Sequence, residues 1–321
     1  MKILVVGGAG YVGSALVPVL VERGYDVTVA DQLWFGNHLP GGLPVVEKDV
    51  FDMAEADLEG FEKVVFMAGL SNDPMAEFSP SLNFISNAAS PAYLGYIARK
   101  VGIRRFVFSG SCSVYGYTEN QLYDETSPTI SNFPYGVSKL MGEQSLISMS
   151  TPSFSVISLR KGTISGYSPR MRLDLIVNTM FKTAVEKSEI TINNPAIWRP
   201  ILSIQDTIGA YLNALEAGPG VSGVFNVASG NYTVGDVAER VKRRLEPRLG
   251  REIRLNILHR QDYRNYRVST EKAVQVLGFR PDHDIEAIVD DLYAHLDRFR
   301  DFANPNYYNI EVFKKLQSVG R

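Results

Sequence analysis

The chain has 321 residues, of which 45% are hydrophobic and 21% are charged. This composition is typical of a globular protein and excludes a disordered, collagen-like or coiled-coil chain. Lysine and arginine number 33 against 35 aspartates and glutamates, a net charge of -2. The positive surface that nucleic acids require is therefore not expected, and we expect no nucleic-acid partner.

Cysteine and histidine are too few for a metal site or a disulfide scaffold. Cys112 is the single cysteine, and the four histidines do not have the spacing of zinc ligands. We therefore expect no metal. A reducing cytoplasm is the expected compartment, because a lone cysteine forms no disulfide within the chain.

The first predicted elements lie in a run without charged side chains, residues 3–21, which imitates a membrane anchor. The glycines between residues 7 and 13 would weaken a spanning helix, whereas a buried strand, a tight turn and a helix account for them. We expect neither a membrane span nor a targeting segment. The pattern predicts a strand at 2–6, a helix at 15–23 and a strand at 26–30.

Strands and helices continue to alternate up to residue 160. The predicted elements are strands at 63–68, 105–109 and 155–159 and helices at 88–101 and 135–149. Such alternation is typical of a parallel sheet with helices on both faces. The sequence therefore predicts an α/β fold built on a Rossmann-type doubly wound parallel sheet.

The pattern changes after residue 160 to that of a smaller mixed α/β unit. The predicted elements there are helices at 173–187, 234–245, 270–277 and 285–299 and strands at 189–192 and 252–258. Between them, 201–203, 207–216 and 224–227 are predicted to return to the large sheet as strand, helix and strand. This predicts two interleaved domains, residues 1–160 plus about 199–229 and residues about 161–198 plus 230–321.

A glycine-rich loop between the first strand and the first helix indicates a dinucleotide site. The loop reads Gly7-Gly8-Ala9-Gly10-Tyr11-Val12-Gly13. Glycine lets the backbone approach a diphosphate, and the helix N-terminus offers free N–H groups. Two spacings fit, one starting at Gly7 and one at Gly8, and either binds a dinucleotide. Glycines that serve close packing alone are the alternative.

Two acidic positions extend this dinucleotide hypothesis. Asp31 ends the second strand, where a carboxylate accepts hydrogen bonds from the adenosine ribose and repels a 2'-phosphate. This favours NAD over NADP, with a helix cap as the alternative for Asp31. Asp49 and Val50 follow a possible third strand and are predicted to approach the adenine, unless they form only a turn.

Three further side chains form a candidate catalytic set. Tyr135 and Lys139 are four residues apart on a predicted helix, so the phenol and the ammonium share one face. An ammonium beside a phenol lowers the pKa of the phenol and makes it a proton donor and acceptor near neutral pH. Ser111 follows a strand and is predicted to orient a substrate oxygen. A solvated helix face and a serine-rich turn are the alternatives.

These features together resemble a known family. They are the glycine loop, Asp31, Phe66-Met67-Ala68-Gly69, Asn87, the run Ser111–Gly116, Tyr135 with Lys139, and Arg199 with Asp206. In this order and spacing, the chain resembles an extended short-chain dehydrogenase/reductase of the NAD-dependent epimerase/dehydratase type. The resemblance covers nearly the whole chain.

The resemblance implies roles for individual residues. Tyr135 is implied as the catalytic acid and base, and Lys139 as the group that holds the nicotinamide ribose. Ser111 is implied as the third member of the catalytic triad. Ala68, Gly69 and Asn87 are implied to lie at the cofactor. The implied substrate contacts are Ser71, Ser111, Thr163, Asn178, Arg199 and Arg260. The alternatives are an ion pair with Asp206 for Arg199 and an ordinary helix position for Asn178.

The resemblance also implies an activity, NAD-dependent epimerisation at sugar C4 of a nucleotide-diphosphate sugar. Under it, the two predicted domains bind NAD and the nucleotide sugar respectively. Dehydration and decarboxylation are disfavoured because Ser111-Cys112-Ser113 lacks the acid that those relatives carry there. The alternatives are an NAD(P)H-dependent 4-ketoreductase of a nucleotide-linked deoxysugar and a non-catalytic dinucleotide sensor. A homodimer through the helices at 88–101 and 135–149 is expected, and the tail, 304–321, is expected to pack on the surface or at a subunit contact.

Overall fold

A sheet of parallel strands forms the centre of the chain in the computed structural model, which describes residues 1–258 and 265–318. Its strands are β1 (Lys2–Val6), β2 (Asp26–Asp31), β3 (Val45–Glu47), β4 (Lys63–Phe66), β5 (Arg105–Phe108), β7 (Ser155–Lys161) and β11 (Gly223–Val227). They lie in the order β11-β7-β5-β4-β1-β2-β3, and all neighbouring pairs are parallel. The predicted Rossmann-type fold is confirmed.

Helices cover both faces of this sheet, which explains why its central strands are apolar almost throughout. The first helices are α1 (Gly13–Glu22), α2 (Asp73–Phe78), α3 (Pro80–Phe84), α4 (Ser90–Lys100) and α5 (Pro134–Ile147), with a π-helical turn (Ile85–Ala89) before α4. Leu16 of α1 packs on one face of the sheet, and Leu94 of α4 and Leu146 of α5 pack on the other.

The strand order reverses between β1 and β4. The chain runs outward from β1 through β2 to β3, and then crosses back to place β4, β5, β7 and β11 on the other side. In doubly wound sheets, ligands bind at the carboxyl ends of the strands at such a reversal. The topology therefore places the site beside the loops that follow β1 and β4.

Smaller sheets and a second helical layer lie after β5. The strands are β6 (Tyr117–Tyr123), β8 (Thr163–Ser165), β9 (Glu189–Ile192), β10 (Trp198–Ser203), β12 (Gly230–Thr233), β13 (Arg254–Ile257) and β14 (Asn265–Val268). They pair as β12-β10-β8, β13-β9 and β14-β6. The helices are α6 (Ile176–Lys187), α7 (Ile204–Glu216), α8 (Val234–Leu249), α9 (Ile285–Ala294) and α10 (Asn309–Ser318). A second apolar core lies among α6, α8 and α9.

The uncharged N-terminal run consists of β1, a glycine turn and α1, as predicted. Across residues 1–258 and 265–318, no helix has both the length and the apolar character that crossing a membrane requires.

The structure corrects three predicted elements. Strand β10 does not return to the large sheet but pairs with β8 and β12, whereas β11 does return beside β7. The helix predicted at 270–277 is a π-helical turn, Ala273–Leu277, and the helix predicted to extend to residue 299 ends at Ala294. Periodicity indicates an element but not its partner strand, which explains the error for β10.

A buried ion pair fixes α5 to the sheet. Glu143 of α5 and Arg160 of β7 are 2% and 5% exposed, and Arg160 Nη2 lies 2.6 Å from Glu143 Oε1. The Ser158 hydroxyl donates to Glu143 Oε2 at 2.7 Å, and Arg160 donates to the Tyr115 hydroxyl at 2.8 Å. The pair therefore fixes the position of the helix that carries Tyr135.

We expect Glu143→Ala to destabilise the protein strongly, because Arg160 then keeps a buried charge without a partner. The free energy of unfolding should fall by about 3–5 kcal/mol. The control is Lys2→Ala, which removes an exposed pair with Asp26 at 3.8 Å and should cost less than about 1 kcal/mol. Urea unfolding of both variants measures the difference, and equal losses would contradict the role of the pair.

Candidate active site

One cavity of about 620 Å³ opens at the carboxyl edge of the sheet, at the strand-order reversal. The glycine loop after β1 and the segments after β4 and β5 line it, and so do residues between β7 and α6. Its volume falls within the range of about 300–1,000 Å³ that small-molecule and cofactor sites usually enclose.

The glycine loop packs closely against its own surroundings at three of its glycines. Gly7 has φ +79°, and a Cβ there would lie 2.4 Å from Ala68 N. A Cβ at Gly13 would lie 2.3 Å from Gly8 O, whereas one at Gly8 would meet the side chain of Val29. Gly10 is different, since its Cβ would meet only Gly7 O at 3.4 Å. Gly7, Gly10, Tyr11, Val12 and Gly13 all line the cavity.

Asp31 ends β2 beside this loop. Its carboxylate accepts hydrogen bonds from Ala9 N at 2.9 Å and Leu33 N at 2.8 Å, which ties the glycine loop to the end of the strand. Burial raises the pKa of Asp31, and these backbone bonds act in the opposite direction. Asp49 and Val50 follow β3, where Asp49 accepts from Phe51 N at 2.8 Å.

The structure brings Ser111, Tyr135 and Lys139 to one wall of the cavity. Tyr135 and Lys139 share a face of α5, and Lys139 Nζ lies 6.0 Å from the centre of the Tyr135 ring. Ser111 follows β5, where its hydroxyl accepts a hydrogen bond from the Ser113 hydroxyl at 2.9 Å and interacts with the Tyr135 phenol. A phenol, a hydroxyl and an amine therefore face the same space.

The charge states of this set differ from the prediction. Burial raises the pKa of Tyr135 to about 12, although the hydrogen bond with Ser111 lowers it. Burial and the charge of Lys161 lower the pKa of Lys139 to about 7. The prediction that Lys139 depresses the phenol pKa is therefore wrong for the protein alone, because the ammonium form of Lys139 is itself disfavoured.

Lys161 was not expected from the sequence. It ends β7, and its Nζ donates to the Ser109 hydroxyl and, at 3.1 Å, to the Tyr211 hydroxyl. Burial lowers the pKa of Lys161 to about 7. No carboxylate lies within ion-pair distance of Lys161 in the described part of the chain. Its position at a strand end was the only sequence signal.

Of the three residues that the resemblance implies at the cofactor, Gly69 lines the cavity, whereas Ala68 and Asn87 do not. Asn87 is fully buried in the π-helical turn and donates to Leu70 O at 2.9 Å. Its Oδ1 has no hydrogen-bond partner. Gly69 has φ +135°, and a Cβ there would lie 2.2 Å from that oxygen. The segment after β4 therefore packs directly on Asn87.

The expected substrate residues divide into those that line the cavity, one that lies outside the described residues, and Asn178, which does not line the cavity. Ser71, Thr163 and Arg199 line the cavity with Ser111. Arg199 is not paired with Asp206, whose carboxylate instead contacts Ser229 Oγ at 2.5 Å and His283 Nδ1 at 2.6 Å. Arg260 lies outside the described residues.

The structure corrects the expectation that Asn178 contacts the substrate. It is fully buried and does not line the cavity, because its amide is used within the protein. Asn178 Oδ1 accepts from Gly166 N at 3.0 Å, and its Nδ2 donates to Arg172 O at 2.8 Å and to the Tyr11 hydroxyl at 3.2 Å. Asn178 therefore links the glycine loop to the segment before α6.

Further side chains, to which the sequence assigned no individual role, complete the cavity wall. Arg170, Arg172 and Asp174 line it before α6, and Arg172 forms a two-point ion pair with Asp174 at 2.8 and 3.0 Å. Trp34 after β2 and Asn309 at the start of α10 also line it. Their positions depend on contacts between distant parts of the chain, which no local motif reveals.

Comparison with known proteins identifies the family. A model of the NAD dependent epimerase/dehydratase family matches residues 3–228. The chain belongs to this family. The glycine loop and Asp31 fit its NAD cofactor.

Relatives of this epimerase/dehydratase chain include two bacterial enzymes. The UDP-glucose 4-epimerase of Corynebacterium glutamicum is 31% identical over 317 residues, which covers 92% of this chain and 95% of the relative. The UDP-glucose 4-epimerase of Streptomyces lividans is 28% identical, with coverage of 91% and 95%.

Solved structures share the fold. The Thermotoga maritima UDP-glucose 4-epimerase with UDP-glucose superposes with a TM-score of 0.81 at 24% identity, covering 92% of this chain and 100% of that one. MoeE5 in complex with UDP-glucose and NAD gives a TM-score of 0.80 at 22% identity, with coverage of 93% and 99%.

We expect Gly10→Ala to weaken NAD binding while the fold remains intact. The added methyl group has space in the protein but occupies the face where the dinucleotide approaches, so affinity should fall about tenfold or more. Gly209→Ala, where a Cβ meets nothing within 4 Å, should leave NAD affinity unchanged. Calorimetric titration and thermal unfolding test this, and unchanged NAD affinity in Gly10→Ala would contradict the placement.

Lys161 should make stability depend on pH. Its pKa is 10.5 in model compounds and about 7 in the fold. Between these values the unfolded chain binds a proton that the folded protein lacks, so stability rises with pH, by about 2 kcal/mol from pH 7 to pH 9. Lys161→Met should lack this contribution, and urea unfolding of both proteins at pH 7 and pH 9 measures it. If the difference in unfolding free energy between the two proteins is the same at pH 7 and pH 9, the burial of the Lys161 amine is contradicted.

Proposed function

We propose that the protein is an NAD-dependent nucleotide-sugar epimerase that acts by transient oxidation at sugar C4, with a UDP-sugar as substrate. The observation that carries this proposal is the meeting of Ser111, Tyr135 and Lys139 with the glycine loop in one cavity. Similarity to UDP-glucose 4-epimerases over nearly the whole chain supports the reaction and the substrate class.

The cofactor site is proposed from steric fit and charge. At the start of α1, where free N–H groups attract anions, Gly10 leaves the backbone open, whereas Gly7 and Gly13 let the loop pack against the backbone of Ala68 and Gly8. Tyr11 and Val12 complete the loop. The Asp31 carboxylate suits a ribose diol and would repel a 2'-phosphate, which supports NAD over NADP. Further proposed contacts are Asp49, Val50, Ala68, Gly69, Asn87, Tyr135 and Lys139.

NAD, when bound, supplies the hydride acceptor and later the hydride donor. Tyr135, as the phenolate that a charged Lys139 favours, accepts the proton of the C4 hydroxyl as the sugar is oxidised and returns it when the keto group is reduced. Ser111 donates a hydrogen bond to the same sugar oxygen and stabilises negative charge on it. Lys139 holds the ribose, and its charged form favours the phenolate of Tyr135. Inversion of C4 would require the keto sugar to present its other face to the cofactor.

The cavity also suggests how the substrate binds. Arg199 is proposed to contact the sugar-nucleotide diphosphate, with Ser71 and Thr163 near the sugar.

Cys112 cannot supply the acid of a dehydratase, because burial holds the pKa of its thiol far above its usual range and Sγ donates to Arg160 O at 3.0 Å. The position of Cys112 therefore offers no acid for dehydration.

We also propose the domain division, residues 1–160 plus about 199–229 for NAD and about 161–198 plus 230–321 for the nucleotide sugar. A homodimer through α4 and α5 is proposed because these helices expose Tyr96, Val137 and Met141, which are 61%, 40% and 42% exposed. The cytoplasm is proposed as the compartment because Cys112, the single cysteine, is buried as a free thiol.

The dinucleotide released by denaturing the purified protein tests the proposal. We expect near-stoichiometric NAD and equilibration of UDP-glucose with its C4 epimer without added cofactor. Tyr135→Phe should keep NAD and lose turnover by at least about a hundredfold, since general acid–base catalysis contributes about 10²–10⁴-fold. Tyr25→Phe is the control, because its hydroxyl contacts Glu216 and does not line the cavity.

Other outcomes would contradict the proposal. Consumption of added NADH or NADPH with a 4-keto sugar nucleotide would indicate a ketoreductase instead. Undiminished turnover in Tyr135→Phe would remove Tyr135 from catalysis, and the absence of any dinucleotide binding would overturn the cofactor site.

A further inference from the structure

Arg170 is buried in the cavity wall without a full set of partners. It lies between β8 and α6 and is 2% exposed. Its Nη2 donates to Asn309 Oδ1 at 2.5 Å, and its guanidinium carbon lies 3.7 Å from the centre of the Phe35 ring. Its Nε has no hydrogen-bond partner. One donor of a buried cation therefore remains available to a ligand.

The charge of Arg170 also lacks a close counter-charge. No carboxylate lies within ion-pair distance of Arg170 among residues 1–258 and 265–318. Asp31 acts on it only at longer range, and the neighbouring Arg172, already paired with Asp174, repels it. Burial and this repulsion lower the pKa of Arg170 to about 9. A buried cation of this kind is costly unless an anion binds to it.

The backbone of the same residue contacts the start of α1. Arg170 N donates to the Ser14 hydroxyl at 3.2 Å, and the Ser168 hydroxyl donates to Tyr11 O at 2.6 Å. Arg170 is thus fixed beside the glycine loop, whose free N–H groups also favour an anion. An arginine opposite a helix N-terminus suits a diphosphate, which accepts hydrogen bonds from both sides.

The C-terminal helix α10 fixes Arg170 from the other side. Asn309 accepts from Arg170 and donates through Nδ2 to the Ser71 hydroxyl at 2.6 Å. Phe313 is fully buried, stacks on Trp34 at 5.8 Å and meets Phe78 edge-on at 5.9 Å. Helix α10 therefore connects the segments after β2 and β4 with the segment before α6, across the cavity.

We propose that Arg170 binds the diphosphate of the dinucleotide and that α10, through Asn309, positions Arg170 and slows release of the cofactor. This inference rests on the proposed dinucleotide site. The diphosphate of the nucleotide sugar has the same chemistry, but contact with the start of α1 and proximity to Asp31 favour the dinucleotide. The tail residues thus act in cofactor retention as well as in packing.

Titration of NAD into the cofactor-free full chain, and of UDP into the NAD-loaded chain, tests the proposal. We expect Arg170→Gln to weaken NAD binding at least about thirtyfold, or about 2 kcal/mol, and to change UDP affinity less than about threefold. Asn309→Ala should speed NAD release about tenfold. Lys315→Ala, on the exposed face of α10, should leave both measurements unchanged.

A double variant separates positioning from general destabilisation. If Asn309 acts through Arg170, Asn309→Ala should add little to the NAD dissociation rate of Arg170→Gln. A full additional effect in that background would overturn the positioning role. Unchanged NAD affinity in Arg170→Gln, or a loss confined to UDP, would overturn the diphosphate assignment. Absence of NAD binding by the unaltered chain would instead overturn the proposed function.

Discussion

The close approach of the chain after β1 to the chain after β4 is the constraint on which the active-site edge depends. Gly7 lies so near Ala68 that a Cβ would fall 2.4 Å from its amide nitrogen. The two segments touch, and the second of them packs in turn on Asn87: the glycine loop contacts Ala68, and Gly69 contacts the buried Asn87. Helix α5 then meets this edge at Lys139. A side chain at position 7 would separate the groups that hold the cofactor from those that carry the chemistry.

Lys139, Lys161 and Arg170 line the cavity, and none of them forms an ion pair within the part of the chain that the structure describes. Lys161 lies close enough to Lys139 for its charge to lower the pKa of Lys139. Arg170, beside the glycine loop, has an Nε without a hydrogen-bond partner. The proposed ligands each carry a diphosphate. Their binding would supply the missing negative charge, so the folded state should gain stability with each ligand bound. The cost of the unpaired cations is thereby linked to ligand affinity.

Local sequence patterns predicted much of the fold and of the catalytic wall. The glycine loop, Asp31 and the pair Tyr135 and Lys139 follow rules of spacing within one strand, turn or helix, and the structure brings them to one edge. Lys161 and Arg170 follow no such rule, because their meaning depends on which distant groups surround them. The amide of Asn178 likewise looked available to a ligand, and only the fold reveals that Tyr11 and Gly166 use it.

The long separation in sequence between α10 and the residues it contacts has a consequence for how the protein matures. Asn309 contacts Ser71 across 238 positions of sequence, so the contact forms only after most of the chain has been synthesised. The parallel sheet can assemble while α10 is still inside the ribosome, since N-terminal parts fold first. A newly made chain would thus bind cofactor loosely until its last helix has been released and has docked.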